Sequence, residues 1–259
     1  MIAASECDMS EVFGKKPVTS SEFPVLLFAA NGTLLHFNPP LENYFHNQLF
    51  ISGHPKTPEE IEAAWVKSLH LTVPTEFVTA LLQELQIPED KVAELSQKIM
   101  QNREGLRVVI ADSTIQVCEL LRDRGYHLGI VSNQDYRIAE LLRHQAVLEL
   151  FDVVVTADNR PNYLKPQSEG ILEALDELDV LPSQCIFIGD SFSRDIVAAQ
   201  GAGLKAILYD PTYRELKALA ESTSEAFSKV VSIETLRQNR RLQGVKVVTQ
   251  FQELLKFFL

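Results

Sequence analysis

The chain has 259 residues, 46% of them hydrophobic and 23% charged, the balance of a globular protein with room for one large domain or a core plus an insertion. A formal charge of -11 at pH 7 argues against general binding to nucleic acid or to anionic membranes. No apolar run approaches the ~18 residues that a membrane span requires. The three cysteines, Cys7, Cys118 and Cys185, lack metal-like spacing, and the last two sit in apolar stretches as buried free thiols do. A reducing, cytoplasmic location is expected.

Residues 1–23 carry Ser, Glu, Asp and Lys but no apolar signal region, and are read as a flexible arm. The segment Pro24-Val25-Leu26-Leu27-Phe28 is then an apolar run of strand length. It breaks at Ala29 into a small, turn-prone stretch through Thr33 and turns apolar again at Leu34-Leu35. A buried parallel strand that delivers its carboxyl end to a ligand crevice has this form. His36-Phe37-Asn38-Pro39-Pro40 breaks the pattern.

Residues 39–106 are helical in period and lack any clear strand. Thr57-Pro58-Glu59-Glu60 opens a helix with a capping threonine, a proline in the first turn and acids at the positive helix end. Ile61, Trp65 and Leu69 follow as one stripe. Pro74-Thr75-Glu76 opens a second helix, with Phe77, Leu81 and Leu85 in register. Pro88-Glu89-Asp90 opens a third, with Val92, Leu95 and Ile99 aligned. The stripes predict a small bundle in which Trp65 and His70 have structural roles. The acidic excess of this segment reads as a solvated face.

From residue 107 helices alternate with buried strands. Ser113 to Arg124 is a helix closed by Gly125. Strands are predicted at 127–132, 151–156, 185–190 and 204–209, with helices through Tyr136 to Leu142, Gly170 to Leu178 and Ile196 to Gln200. Beyond a polar stretch containing Arg237, Arg240 and Arg241, Val245 to Val248 and Phe251 to Phe258 give a final strand and helix. This alternation predicts an α/β fold, a doubly wound parallel sheet. The core comprises 24–38 and 107–259, and the inserted all-α segment comprises 39–106.

Four segments in chain order carry a resemblance. They are Ala29-Ala30-Asn31-Gly32-Thr33, Ser132-Asn133, Lys165-Pro166, and Gly189-Asp190-Ser191-Phe192-Ser193-Arg194-Asp195 followed by an Ala/Gly-rich exit at 198–203. Together they resemble the motifs of the haloacid dehalogenase-like (HAD) phosphohydrolases, across about two thirds of the chain. The resemblance implies a Rossmann-like core with a C1-type helical cap at 39–106. It also implies phosphate contacts from Gly32, Thr33, Ser132, Asn133 and Lys165, and magnesium held by Asp190 and Asp195. The first motif departs from the family. Ala29 stands where the family keeps its nucleophilic aspartate, and Asn31 where it keeps its acid/base aspartate.

That departure decides the chemistry. The family's aspartate attacks phosphorus, and a second carboxyl protonates the leaving group and then activates water. Ala29 has no nucleophilic atom, and Asn31 exchanges no proton near neutral pH. Loss of a covalent nucleophile costs on the order of a million-fold in rate. The magnesium site is likewise incomplete. Replacement nucleophiles to consider are Ser132, Asp112, Asp135, Asp158 and, less naturally, His36. The expectation is a pseudo-phosphatase that binds a phosphorylated ligand or a protein partner without hydrolysis, through its acidic insertion or the Arg237, Arg240 and Arg241 patch. The alternative is a phosphatase that is active through another nucleophile or that carries substitutions at 29 and 31.

Overall fold

The computed structural model describes residues 24–69, 74–101, 106–158, 160–221 and 244–259. The arm at 1–23 with Cys7, His70, and Arg237, Arg240 and Arg241 lie outside the described residues. Strand β1 (Val25–Phe28) is fully apolar and buried along its length. Its residues alternate between two cores. Leu26 and Phe28 pack on one face of the sheet with Val117, Leu121, Phe251 and Leu254. Val25, Leu27 and Ala29 pack on the other with Ile171, Ala174, Ile196 and Leu208.

After the turn at 29–34 the chain forms β2 (Leu35–Asn38), which pairs antiparallel with β3 (Arg107–Ile110), Asn38 lying opposite Arg107. The sequence pattern shows 36–40 only as a break, because a four-residue ribbon closed by a distant partner has no local signature. Between the two strands lie α1 (Leu41–Ile51), α2 (Pro58–Ser68), α3 (Pro74–Glu84) and α4 (Glu89–Gln101). The periodicity anticipates the last three but not α1. The start of α2 is a full capping box: Thr57 Oγ1 accepts from the Glu60 amide and Glu60 Oε2 from the Thr57 amide. Trp65 is a core residue, edge-on to Phe45 at 5.3 Å and Phe77 at 5.1 Å, above buried Ile61, Leu81, Val92, Leu95 and Ile99.

The remaining elements alternate. They are α5 (Asp112–Asp123), β4 (His127–Ser132), α6 (Arg137–His144), β5 (Val153–Thr156), α7 (Glu169–Glu177) and β6 (Cys185–Gly189). A π-helical turn, Phe192–Ile196, runs into α8 (Val197–Gly201), then come β7 (Lys205–Tyr209), α9 (Arg214–Glu221) and β8 (Lys246–Val248). A 3-10 turn, Phe251–Leu254, leads into α10 (Leu255–Phe258). The six strands of the main sheet run in the order β5-β4-β1-β6-β7-β8, all parallel. This is the α/β fold predicted, with β1 at its centre. Replacing the fully buried Leu27 by Ala on that strand should lower stability by about 2–5 kcal/mol. Urea unfolding of Leu27→Ala would check it; a loss well below 1 kcal/mol would mean that β1 is not the sheet's packing centre.

Candidate functional site

Parallel strands bring their carboxyl ends to one edge, and the four sequence motifs sit on that edge. Ala29 extends the ladder beyond β1 by donating its amide to the Ile188 carbonyl at 2.8 Å, and its methyl group is buried. The turn that follows is tied by the Ala30 carbonyl, which accepts from the amides of Thr33, Leu34 and Leu35. Gly32 has φ +81° and lies so close to Asp190 that a Cβ there would meet Oδ2 at 2.1 Å. Thr33, fully buried, donates Oγ1 to Asp190 Oδ1 at 3.1 Å.

On the neighbouring strand Ser132 Oγ accepts from the Gln134 amide at 3.0 Å. Asn133 grips the backbone of Lys165 from both sides, accepting its amide at 2.8 Å and donating Nδ2 to its carbonyl at 3.0 Å. Lys165 Nζ therefore has a fixed position. It donates to the Val131 carbonyl at 2.8 Å, pairs with Asp195 Oδ1 at 2.8 Å and lies 5.1 Å from the Phe187 ring centroid. Phe28 stands beside Ile130 in the β1–β4 register, so Ala29 and Val131, whose carbonyl holds the lysine, are the next residues along two paired strands. The other oxygen of Asp195, Oδ2, accepts the amides of Asp190 and Ser191 at 3.1 and 3.0 Å. The π-helical turn places Asp195 against Gly189, where a Cβ would fall 2.3 Å from the aspartate's own.

Two buried acids that the motifs do not include complete the edge. Asp210, just after β7, accepts the Leu216 amide at 3.0 Å and anchors the start of α9. Glu215, in the first turn of α9, accepts the Phe192 amide at 3.1 Å. An aspartate at the end of a predicted strand could have marked Asp210. Glu215 has no such signal, since only tertiary folding brings α9 to the Phe192 turn.

The charges settle unevenly. Burial, reinforced by the Asp195 charge, pushes the Asp190 carboxyl up to about 7. Burial would also raise Asp195, but the Lys165 ammonium and then Arg194 outweigh it and hold that carboxyl below the usual range. Burial pushes Glu215 up to about 8, helped by Asp190 and Asp210.

The replacement nucleophiles are engaged elsewhere. Ser132 is held by its own loop, Asp112 is exposed at the start of α5, and Asp135 pairs with Arg137. Asp158 accepts from Thr156 Oγ1 at 2.7 Å and the Tyr136 amide at 2.8 Å. His36 lies half-buried against Tyr209, its basicity lowered by burial.

A magnesium ion needs about six oxygen ligands, and this donor set fits it poorly. Both Asp195 oxygens are committed, Ala29 offers no side-chain oxygen, and of the two motif aspartates Asp190 alone is left. Asn31 Oδ1 is buried without a hydrogen-bond partner and could add a neutral donor. Among the described residues no three His, Cys, Asp or Glu side chains form a metal-binding group.

A parallel sheet in this order, with a helical segment inserted after the first strand and a lysine–aspartate pair at the strand ends, is a Rossmann-like α/β core carrying a helical insertion. The chain belongs to the haloacid dehalogenase-like hydrolases, whose family profile matches residues 25–203. It is 30% identical over 189 residues to the pyrophosphatase PpaX of Bacillus cereus strain ATCC 10987, a match covering 70% of this chain and 80% of that protein. Among solved structures it resembles a haloacid dehalogenase-like family hydrolase from Streptococcus pneumoniae (TM-score 0.59, 15% identity, 92% of this chain and 99% of that one). It also resembles the HAD-hydrolase YfnB of Bacillus subtilis, solved bound to magnesium (TM-score 0.58, 20% identity, 91% and 98%). At these identities the structural likeness shows the fold.

The raised carboxyls make stability depend on pH. Between the ordinary 4.5 and about 8, folded Glu215 keeps a proton that the unfolded chain has released, so stability falls as pH rises through that window and levels above it. Asp190 acts in the same sense between 3.8 and about 7, whereas the lowered Asp195 matters only below its ordinary 3.8. Glu215→Gln keeps an acceptor for Phe192 and should remove on the order of 1–3 kcal/mol of the fall between pH 5 and 8. Denaturation at the two pH values checks this; an unchanged fall would mean that Glu215 ionises normally.

Proposed function

We propose that this chain is a pseudo-phosphatase: a HAD-fold protein that recognises a phosphorylated ligand at its strand ends and does not hydrolyse it. One observation carries the reading. Position 29, at the carboxyl end of β1, carries a methyl group packed into the core where the family motif has its nucleophile, and it follows the strand paired with β4, whose Val131 carbonyl holds Lys165. With no carboxylate at 29 an aspartyl phosphate cannot form, and with an amide at 31 the leaving group receives no proton from that position.

Recognition makes different demands. The Lys165 ammonium has three N–H donors, of which Val131 and Asp195 take two, leaving one for a phosphate oxygen. Asn133 fixes the lysine's backbone, so little of its freedom remains to be lost on binding. Removing two carboxylates from the floor also removes repulsion toward an anion. Because the donors fit magnesium poorly, binding should not need the metal.

The first test is hydrolysis of p-nitrophenyl phosphate with and without magnesium, beside Asp190→Asn. No turnover above that variant is expected, and turnover that Asp190→Asn abolishes would overturn the reading. The relationship to PpaX favours that second outcome, an active phosphatase with its nucleophile elsewhere.

Calorimetry with inorganic phosphate tests recognition separately. Lys165→Ala should weaken binding by about tenfold or more, the loss of one charge-assisted hydrogen bond. Equal affinity for the two proteins would rule out a phosphate site at Lys165.

A further inference from the structure

A phosphate monoester carries about -1.5 to -2 charges near pH 7. Lys165 can donate it a hydrogen bond, but the lysine's charge is matched one for one by Asp195 at 2.8 Å. The pair therefore offers a dianion no net attraction. A divalent metal would make up the deficit, yet the donors here suit one poorly, since both Asp195 oxygens are committed and Ala29 has no side-chain oxygen. Binding a dianion at this edge calls for another positive group.

Arg194 has the position for it. It lies in the π-helical turn Phe192–Ile196, directly before Asp195. That turn is pinned along its length. Asp195 Oδ2 holds the amides of Asp190 and Ser191, the Ser191 carbonyl accepts from the amides of Asp195 and Ile196, and Glu215 holds the Phe192 amide. The backbone of Arg194 is thereby fixed at the strand ends, and its side chain is half-buried. Its charge reaches three acids there: at Asp190, Asp195 and Glu215 it opposes the burial that disfavours their ionised forms.

The guanidinium is nevertheless unengaged. Among the described residues it has no ion pair and no hydrogen-bond partner. The acids around it are bonded elsewhere: Asp195 to Lys165 and two amides, Asp190 Oδ1 to Thr33, and Glu215 Oε2 to Phe192. Three other arginines on the segments that follow the strands are taken. Arg137, after β4, pairs with Asp135; Arg160, after β5, with Glu173; and Arg214, after β7, with Glu42 and Glu62. Arg194 thus keeps its five N–H donors for a ligand.

We propose that Arg194 is the cation of this site: together with Lys165 it binds the phosphate, and its guanidinium takes the place of a divalent metal. This role presupposes the phosphate site at Lys165 proposed above and adds the group that gives that site its net charge. A guanidinium fork meets two phosphate oxygens at once, whereas an ammonium acts as a point charge.

The test is calorimetry of the full chain with inorganic phosphate near neutral pH, once with magnesium chloride and once with EDTA. Arg194→Gln should weaken binding about tenfold or more, and Arg194→Lys should recover part of the loss, because the charge returns without the fork. Arg137→Gln removes an equal charge from an exposed arginine away from the strand ends, and should change affinity by less than about twofold. Magnesium should likewise change the parent's affinity by less than about twofold. If Arg194→Gln does not fold, by its melting transition, Arg194→Met, which keeps the apolar stem, decides. Unchanged affinity in the folded Arg194 variant, an equal loss in Arg137→Gln, or about tenfold tighter binding with magnesium would each overturn the role of Arg194. The two readings separate at Lys165. Absence of binding by the parent would sink both, whereas a weakened Lys165→Ala beside an unchanged Arg194→Gln would remove only the arginine's part.

Discussion

The buried pair between Lys165 and Asp195 is the contact on which the strand-end architecture depends. Placing two opposite charges inside a protein is costly, and the cost is recovered only when every remaining donor and acceptor finds a partner. Here Val131 takes one ammonium proton, the Phe187 ring lies beneath the charge, and two backbone amides complete Asp195. Those partners belong to β4, β6 and the turn after β6. The pair therefore fastens β4, the loop at Lys165 and β6 with its following turn, three segments that are far apart in sequence, and the small residues around it follow from the crowding. Gly32 and Gly189 have no room for a side chain because the two aspartates fill it.

Ala29 alters the balance of that arrangement without disturbing its shape. Lys165 and Asp195 neutralise each other, while the half-buried Asp190 has, among the described residues, the Thr33 hydroxyl as its hydrogen-bonding side chain. The result is a strand-end edge that carries an alkyl group at position 29 and, in Asp190, an acid that takes up a proton near neutrality. On the reading proposed above, such an edge serves to hold a ligand rather than to transform one.

Most of the sheet was legible in the sequence because buried parallel strands are short apolar runs separated by helices of clear period. Cys185 to Gly189 and Lys205 to Tyr209 fall within their predicted spans. The ribbon of β2 and β3 was not, since its pairing spans the whole insertion and each strand alone is too short to show a period. The site divides along the same line. Thr33, Asn133, Lys165, Asp190 and Asp195 could be named because each lies in a local motif. Glu215 could not, for it sits on an ordinary-looking helix and acts only through its contact with Phe192. That the Asp195 oxygens are already spent on Lys165 and two amides is likewise a fact of geometry, invisible to any spacing rule.

The ribbon that sequence reading missed has a consequence of another kind. Asn38 and Arg107 face each other across it, so the polypeptide leaves the sheet and returns to it at almost the same place. Adjacent antiparallel partners are ~5 Å apart, whatever lies between them. To the folded core the intervening helices are equivalent to a tight turn, and the entropy of closing a loop grows only slowly with its length. The segment is therefore an exchangeable cassette. A lineage could shorten, lengthen or replace it without re-registering a single strand, and so change what the fold selects while leaving the apparatus beneath it intact.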